Sequence, residues 1–188
     1  MDTIYALSSA PGKAGVSVVR VSGSESSKIA YEMLGACPLP RTANLVVIKD
    51  LAGALIDTGL AIFFKSPASF TGEDILELHV HGSTSVISAL LECLSVFENV
   101  RLAEPGEFAR RALNNNKLDL SQIEGLADLI DSETEAQRKQ AHRVMSGELG
   151  RMAQVWRSDL IRAVALMEAT IDFVDEEVPE NVYPEVVE

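Results

Sequence analysis

Pro105-Gly-Glu-Phe-Ala-Arg-Arg-Ala-Leu-Asn-Asn-Asn-Lys-Leu-Asp-Leu-Ser-Gln-Ile-Glu-Gly-Leu-Ala-Asp-Leu-Ile130 is the stretch where strand patterns stop and helical ones begin. Its apolar residues recur at three- and four-residue steps on either side of an asparagine run. That spacing predicts helices over Phe108–Leu113 and Gln122–Ile130 with a turn between them. Ser121 with Glu124 three residues on reads as the reciprocal cap that satisfies two orphan N–H groups at a helix start. None of this calls for Lys117, a cation set between three asparagines and Leu-Asp-Leu.

Upstream of this run the chain alternates strands and helices. Thr3–Leu7 and Val16–Val21 are β-branched-rich runs bounded by Ser, Pro and Gly, the signature of strands. Ser24–Leu34 carries helical spacing opened by a serine. Leu45–Ile48 and Gly59–Phe64 read as strands joined by a turn around Asp50–Ala54. Ile75–His81 is a further strand stopped by Gly82; Thr84–Phe97 is a helix and Val100–Ala103 a last strand. The expected fold is α+β: a small mixed sheet with helices over residues 1–118, then the start of a helical domain over 119–188.

Downstream, Glu133 to about Ile171 keeps helical periodicity, with Gly147 and Gly150 weakening its middle. Its apolar stripe needs a partner, because it cannot be left in water. The tail from Asp172 has seven acids and no bases, and Pro179 and Pro184 fall within it, so it reads as a frayed linker.

Composition narrows the function classes. The chain has 188 residues, 47% of them hydrophobic, and no apolar run long enough to span a bilayer. It also lacks the layout of a secretory signal. Cys37 and Cys93 are too few and too far apart for a disulfide framework or a zinc site, so both are expected as buried hydrophobes in a cytoplasmic protein. The net charge is −12, and residues 119–188 hold 16 acids against 6 bases. Nucleic-acid binding relies on Lys and Arg neutralising phosphates, so this chain alone is a poor RNA binder.

Three more motifs join the first: Thr3–Gly23 (TIYALSSAPGKAGVSVVRVSG), Ser69–Gly82 (SFTGEDILELHVHG) and Ile171–Glu177 (IDFVDEE). Together the four resemble the N-terminal part of the MnmE (TrmE) family of tRNA uridine-5-carboxymethylaminomethyl modification GTPases, over almost the whole chain. The resemblance implies a tetrahydrofolate-binding-like N-terminal domain that forms a homodimer. It implies a bound 5-formyltetrahydrofolate or 5,10-methylenetetrahydrofolate as one-carbon donor, and modification of the wobble uridine (U34) of certain tRNAs with a flavin-dependent partner, MnmG (GidA). GTP, Mg2+ and K+ belong to a GTPase domain that the family inserts after the first helices. This chain shows no G-x-x-x-x-G-K-[ST] loop; Pro11-Gly-Lys-Ala-Gly15 lacks the first glycine and the Ser/Thr that reaches magnesium. The chain is therefore expected to be a fragment that does not hydrolyse GTP. The family's reactive cysteine lies in a C-terminal tetrapeptide, so neither Cys37 nor Cys93 inherits that role and no catalytic residue is expected here.

The family's ligand-contacting positions match Arg20, Glu77 and Lys117. A pterin edge presents adjacent N–H and NH2 donors that a carboxylate accepts, and the glutamate tail offers carboxylates to cations. Glu77 is thus expected on the pterin edge, with Arg20 and Lys117 on anionic or carbonyl groups. The plain alternatives are a cross-strand ion pair for Arg20 and Glu77 and a solvated turn residue for Lys117. His79 and His81 share one strand face, but a zinc site needs further ligands, so they are expected as structural histidines or one as lining a folate cleft. Asp172, Asp175, Glu176 and Glu177 read as a solvated acidic hinge, and no metal site is expected. Two other functional classes stay open: a folate-dependent aminomethyl or one-carbon transferase, and a purely structural dimerisation module.

Overall fold

The computed structural model describes residues 2–172. The acids Asp175, Glu176 and Glu177 and the prolines Pro179 and Pro184 lie outside the described residues. The chain separates into two compact units, residues 1–118 and 119–188.

The first unit is built on one six-stranded sheet. Its strands are β1 (Thr3–Leu7), β2 (Ala14–Ser22), β3 (Asn44–Lys49), β4 (Leu55–Phe64), β5 (Ile75–Gly82) and β6 (Val100–Leu102), in spatial order β3-β4-β5-β2-β1-β6. All neighbours are antiparallel except β1 and β6. Alternation along each strand divides the residues between two faces. Val19 and Val21 of β2, Leu76, Leu78 and Val80 of β5, and Ala61 and Phe63 of β4 form one buried face. Helices α1 (Ser26–Leu34) and α2 (Thr84–Ser95) lie against it, contributing Ile29, Ala30, Met33, Leu90 and Leu94 to a single core. Cys93 is buried in that core, as expected of a small hydrophobe, whereas Cys37 packs at its edge and is only half-buried.

The opposite face is read in rows across the strands. Phe64, Ile75, Ser22 and Ile4 form one row, and Ile62, Glu77, Arg20 and Ala6 the next. Leu45, Leu60, His79 and Val18 form a third. The first row is closed over: Ile4 and Ser22 are fully buried and Ile75 nearly so. The third opens to solvent, with Leu60 41% and Leu45 77% exposed. The candidate residues Arg20 and Glu77 sit where cover gives way to open sheet.

Two helix starts differ from the sequence expectation. No serine caps α1; the backbone N–H of its N-cap, Glu25, donates instead to Thr3 Oγ1 at 3.0 Å. In the second unit α4 (Leu120–Ile130) is capped by Asp119, which accepts from Gln122 N, while Gln122 returns to Asp119 N. This is the reciprocal cap expected of Ser121 and Glu124, shifted by two residues. Ser121 instead donates to Asp119 Oδ1 at 2.7 Å. An aspartate with Gln at the third position offers the same chemistry, and the shift lets the helix begin at Leu120.

The long helical stretch is two helices, α5 (Glu135–Met145) and α6 (Glu148–Asp172). Gly147 makes the break, with φ +77°, a left-handed conformation that glycine adopts without steric penalty. Gly150, by contrast, continues inside α6. In this unit α4 and α5 pack closely at Gly125, the one buried residue of α4, which lies directly against the end of α5 at Met145. Leu149, Met152, Val155, Trp156, Leu160, Ile161 and Val164 of α6 are all exposed.

Candidate functional site

β2 and β5 place Arg20 and Glu77 directly opposite each other. Nε and Nη2 of Arg20 both lie 2.8 Å from Glu77 Oε1. Among the described residues, Oε2 takes no hydrogen bond, and His79 Nε2 lies 3.5 Å from it. The Arg20 guanidinium also lies 5.5 Å from the ring centroid of Phe70 and 5.6 Å from that of Phe108. Two aromatic rings thus hold a cation whose side chain is only 26% exposed, and that cation holds one carboxylate oxygen.

The two rings are themselves anchored. Phe70 belongs to the loop between β4 and β5, and Phe108 to helix α3 (Glu107–Asn114). Arg111 of α3 reaches back to Glu73 of the loop at 3.1 Å, and to the carbonyl and carboxylate of Asp2 at 2.7 Å each. Glu73 in turn accepts from Ser22 Oγ at 2.7 Å. Beside Arg111, Glu107 is 3% exposed and takes a two-point bond from Arg101 at 2.6 and 2.8 Å. That bond from Arg101, which outweighs the effect of burial, holds the Glu107 carboxyl down at about 2, helped by the Glu104 N–H and Arg111. Loop and helix are tied by the same buried charges, so their two phenylalanines face Arg20 as a fixed pair.

Lys117 is positioned by the asparagine turn. Asn116 takes the left-handed conformation, φ +53°, which asparagine tolerates better than most residues. Asn115 donates to Thr71 O at 2.7 Å, and Lys117 Nζ donates to Pro67 O at 3.0 Å. The structure therefore brings Arg20 and Glu77 together and sets Lys117 against Pro67 of the β4–β5 loop, bonded to neither. His79 lies next to Glu77, whereas His81 turns away to Asp57, with Nδ1 at 2.9 Å and its backbone N–H donating to the same carboxylate. No cluster among the described residues could hold a metal ion.

Sequence reading missed Phe70, Phe108, the Glu73–Arg111–Glu107 network and the orphaned Nε2 of His79. Phe108 offered one signal: an aromatic residue beside two charged positions of a short helix. The others depend on contacts between residues far apart in the chain.

The family model for the GTP-binding protein TrmE N-terminus matches residues 3–117, and that for the MnmE helical domain matches residues 120–188. The tRNA modification GTPase MnmE of Dinoroseobacter shibae is 57% identical over 188 residues, all of this chain and 44% of that protein. Those of Roseobacter denitrificans and Ruegeria pomeroyi are 58% and 55% identical over 186 residues, 99% of this chain and 44% of each. The chain spans less than half the length of these curated relatives. No helix is long and apolar enough to cross a membrane among the described residues. A mixed α+β unit followed by a helical one, matched end to end by two models of one protein family, makes the chain a member of the MnmE (TrmE) family of tRNA modification GTPases.

Proposed function

We propose that this chain is the folate-binding part of a tRNA-modifying GTPase, presenting 5-formyltetrahydrofolate or 5,10-methylenetetrahydrofolate as the one-carbon donor for wobble-uridine modification. The observation that carries the reading is Glu77: one carboxylate oxygen is held by an aromatic-bracketed Arg20, and the other takes no hydrogen bond among the described residues, on a mostly apolar, half-open sheet face. Such a carboxylate accepts the paired N–H donors of a pterin edge, and the neighbouring rings and aliphatic side chains suit its flat body. Lys117, whose Nζ donates to Pro67 O of the loop that carries Phe70, would meet the anionic tail. In this reading residues 1–118 also mediate a homodimer, residues 119–188 begin the helical domain, and GTP, Mg2+ and K+ belong to the parent protein, which works on tRNA in the cytoplasm with a flavin-dependent MnmG partner.

A cross-strand ion pair with no ligand is favoured by one observation, the two bonds from Arg20 to Glu77. Calorimetric titration of the chain with 5-formyltetrahydrofolate separates the two. Saturable heat at one site per chain is expected; no heat at millimolar ligand leaves Arg20 and Glu77 as a structural pair. A stand-alone folate-dependent transferase is disfavoured, because a helical domain of the tRNA-modification family follows directly.

A further inference from the structure

We infer that His79 is a further ligand-binding residue of this site, reading the carbonyl of the pterin's pyrimidinone ring and so selecting 4-oxo over 4-amino folates. The inference rests on the folate reading above. Nε2 of His79 is buried yet has no hydrogen-bond partner in the described structure. Leaving a buried polar nitrogen unsatisfied costs on the order of 1–3 kcal/mol, so its retention calls for a group that completes it. The orphan lies 3.5 Å from the unpartnered Oε2 of Glu77, one residue pair along the same face of β5. The rest of the imidazole is not sealed in: its side chain is 26% exposed, with the open Leu60 as its cross-strand neighbour. Nε2 itself is covered, so meeting a ligand calls for a turn of the ring about χ2 that carries it out beside Oε2, the kind of rotamer change side chains make on binding.

The chemistry then matches along a line. The pyrimidinone edge of a reduced folate presents the 2-amino donor, the N3–H donor and the O4 acceptor in order. Oε2 of Glu77, the oxygen that Arg20 leaves free, accepts from the first two, which point the same way. With its proton on Nε2, His79 supplies the donor for the third. A 4-amino-4-deoxy analogue sets a donor against that donor at the third position, and its N3 no longer carries a proton for Glu77. Sites that hydrogen-bond a particular group reject analogues lacking it, because buried polar groups are then left unpaired.

Two ligands of one oxidation state test this: tetrahydrofolate and 4-amino-4-deoxytetrahydrofolate, titrated into the full chain and two variants. The wild-type chain is expected to prefer the 4-oxo ligand by about tenfold or more, the scale of one hydrogen bond made or lost. His79→Leu should narrow the preference severalfold, leaving the part that Glu77 sets through N3, and His79→Gln, which keeps an N–H donor, should retain most of it. An affinity ratio unchanged in His79→Leu overturns the assignment while leaving the folate reading intact. Failure of the wild-type chain to bind tetrahydrofolate overturns the folate reading and the His79 assignment with it. Should His79→Leu not fold, 15N spectra of labelled histidine in the wild-type chain decide the matter. Tetrahydrofolate is expected to fix His79 as the Nε2–H form with a hydrogen-bonded proton, and an imidazole signal indifferent to the ligand overturns the assignment.

Discussion

Arg20 shows why an ion pair and a binding site are not exclusive readings of the same residues. Both of its bonds go to Glu77 Oε1, so the pair is structural, while Oε2 stays available. Removing the charge therefore has two separable effects. Glu77→Gln should lower 5-formyltetrahydrofolate affinity about thirty- to hundredfold, roughly 2–3 kcal/mol, because an amide N–H now faces a ligand donor. The same change should move the thermal melt little, since glutamine keeps an amide oxygen to accept from Arg20. Unchanged affinity with a lowered melt would return Glu77 to a purely structural role. Lys117→Ala should weaken binding less, about threefold to tenfold, because its group meets water as well as ligand. The sequence carried the chemistry of these three residues, each an isolated charge among apolar or asparagine neighbours. It could not carry Phe70 and Phe108, which reach Arg20 from positions 50 and 88 residues downstream. Glu107 gives a pH prediction of known sign. Its folded carboxyl titrates near 2, below the ordinary 4.5, so its contribution is fully present above pH 4.5 and drains away as pH falls toward 2. Melting followed from pH 6 to pH 2 should show that loss, up to about 3 kcal/mol, and Glu107→Gln should flatten it. An equally steep acid transition in Glu107→Gln would assign the loss to other carboxylates.

Elements were legible where one period dominates, and less so at their ends. β1 and β5 are nearly as read, because β-branched and apolar residues alternate between clear breakers. β4 starts four residues earlier than its apolar run suggests, at Leu55, because pairing with β3 recruits Leu55, Asp57 and Thr58. The cap of α4 was misplaced because Asp119–Gln122 and Ser121–Glu124 are equivalent by spacing, and tertiary fit selects one. Continuous periodicity from Glu133 to Ile171 concealed a corner, since a single left-handed glycine redirects a helix without altering the apolar pattern on either side. Close packing explains why Gly125 is glycine: a Cβ there would stand 2.6 Å from Met145 N, a backbone atom that cannot swing aside. Gly125→Ala gains about 1 kcal/mol of helix propensity but must part α4 from α5, typically costing 1–3 kcal/mol. Amide exchange should therefore speed up in α4 and α5 while the sheet keeps its protection. Unaltered exchange in those helices would mean the contact is looser than it stands.

At the scale of the whole molecule, charge and apolar surface act against each other, and their balance sets how the chain behaves in solution. The stretch resembling a phosphate loop, Pro11–Gly15, joins two antiparallel strands, so it offers no helix N-terminus to an anion, and the net charge is −12. These 188 residues should neither bind nor hydrolyse GTP; saturable turnover by the purified chain would refute that. The same negative charge repels a second copy, yet Leu45, Val47 and Leu60 of the sheet and a run of apolar residues on α6 lie open to water. Contiguous apolar surface of this kind is unusual on a monomer and marks sites of association. If burial of sheet residues drives a dimer against charge repulsion, screening the charge must strengthen it, the opposite of a contact held by ion pairs. Sedimentation at roughly 10–50 µM is therefore expected to show a dimer whose affinity rises between about 0.05 and 0.5 M salt, across which the screening length shortens severalfold. Leu45→Glu with Leu60→Glu adds charge to the open face of residues 1–118 and should return the chain to monomer. A monomer at every salt concentration would remove the dimer, and a dimer indifferent to the Leu45 and Leu60 changes would move it off the sheet.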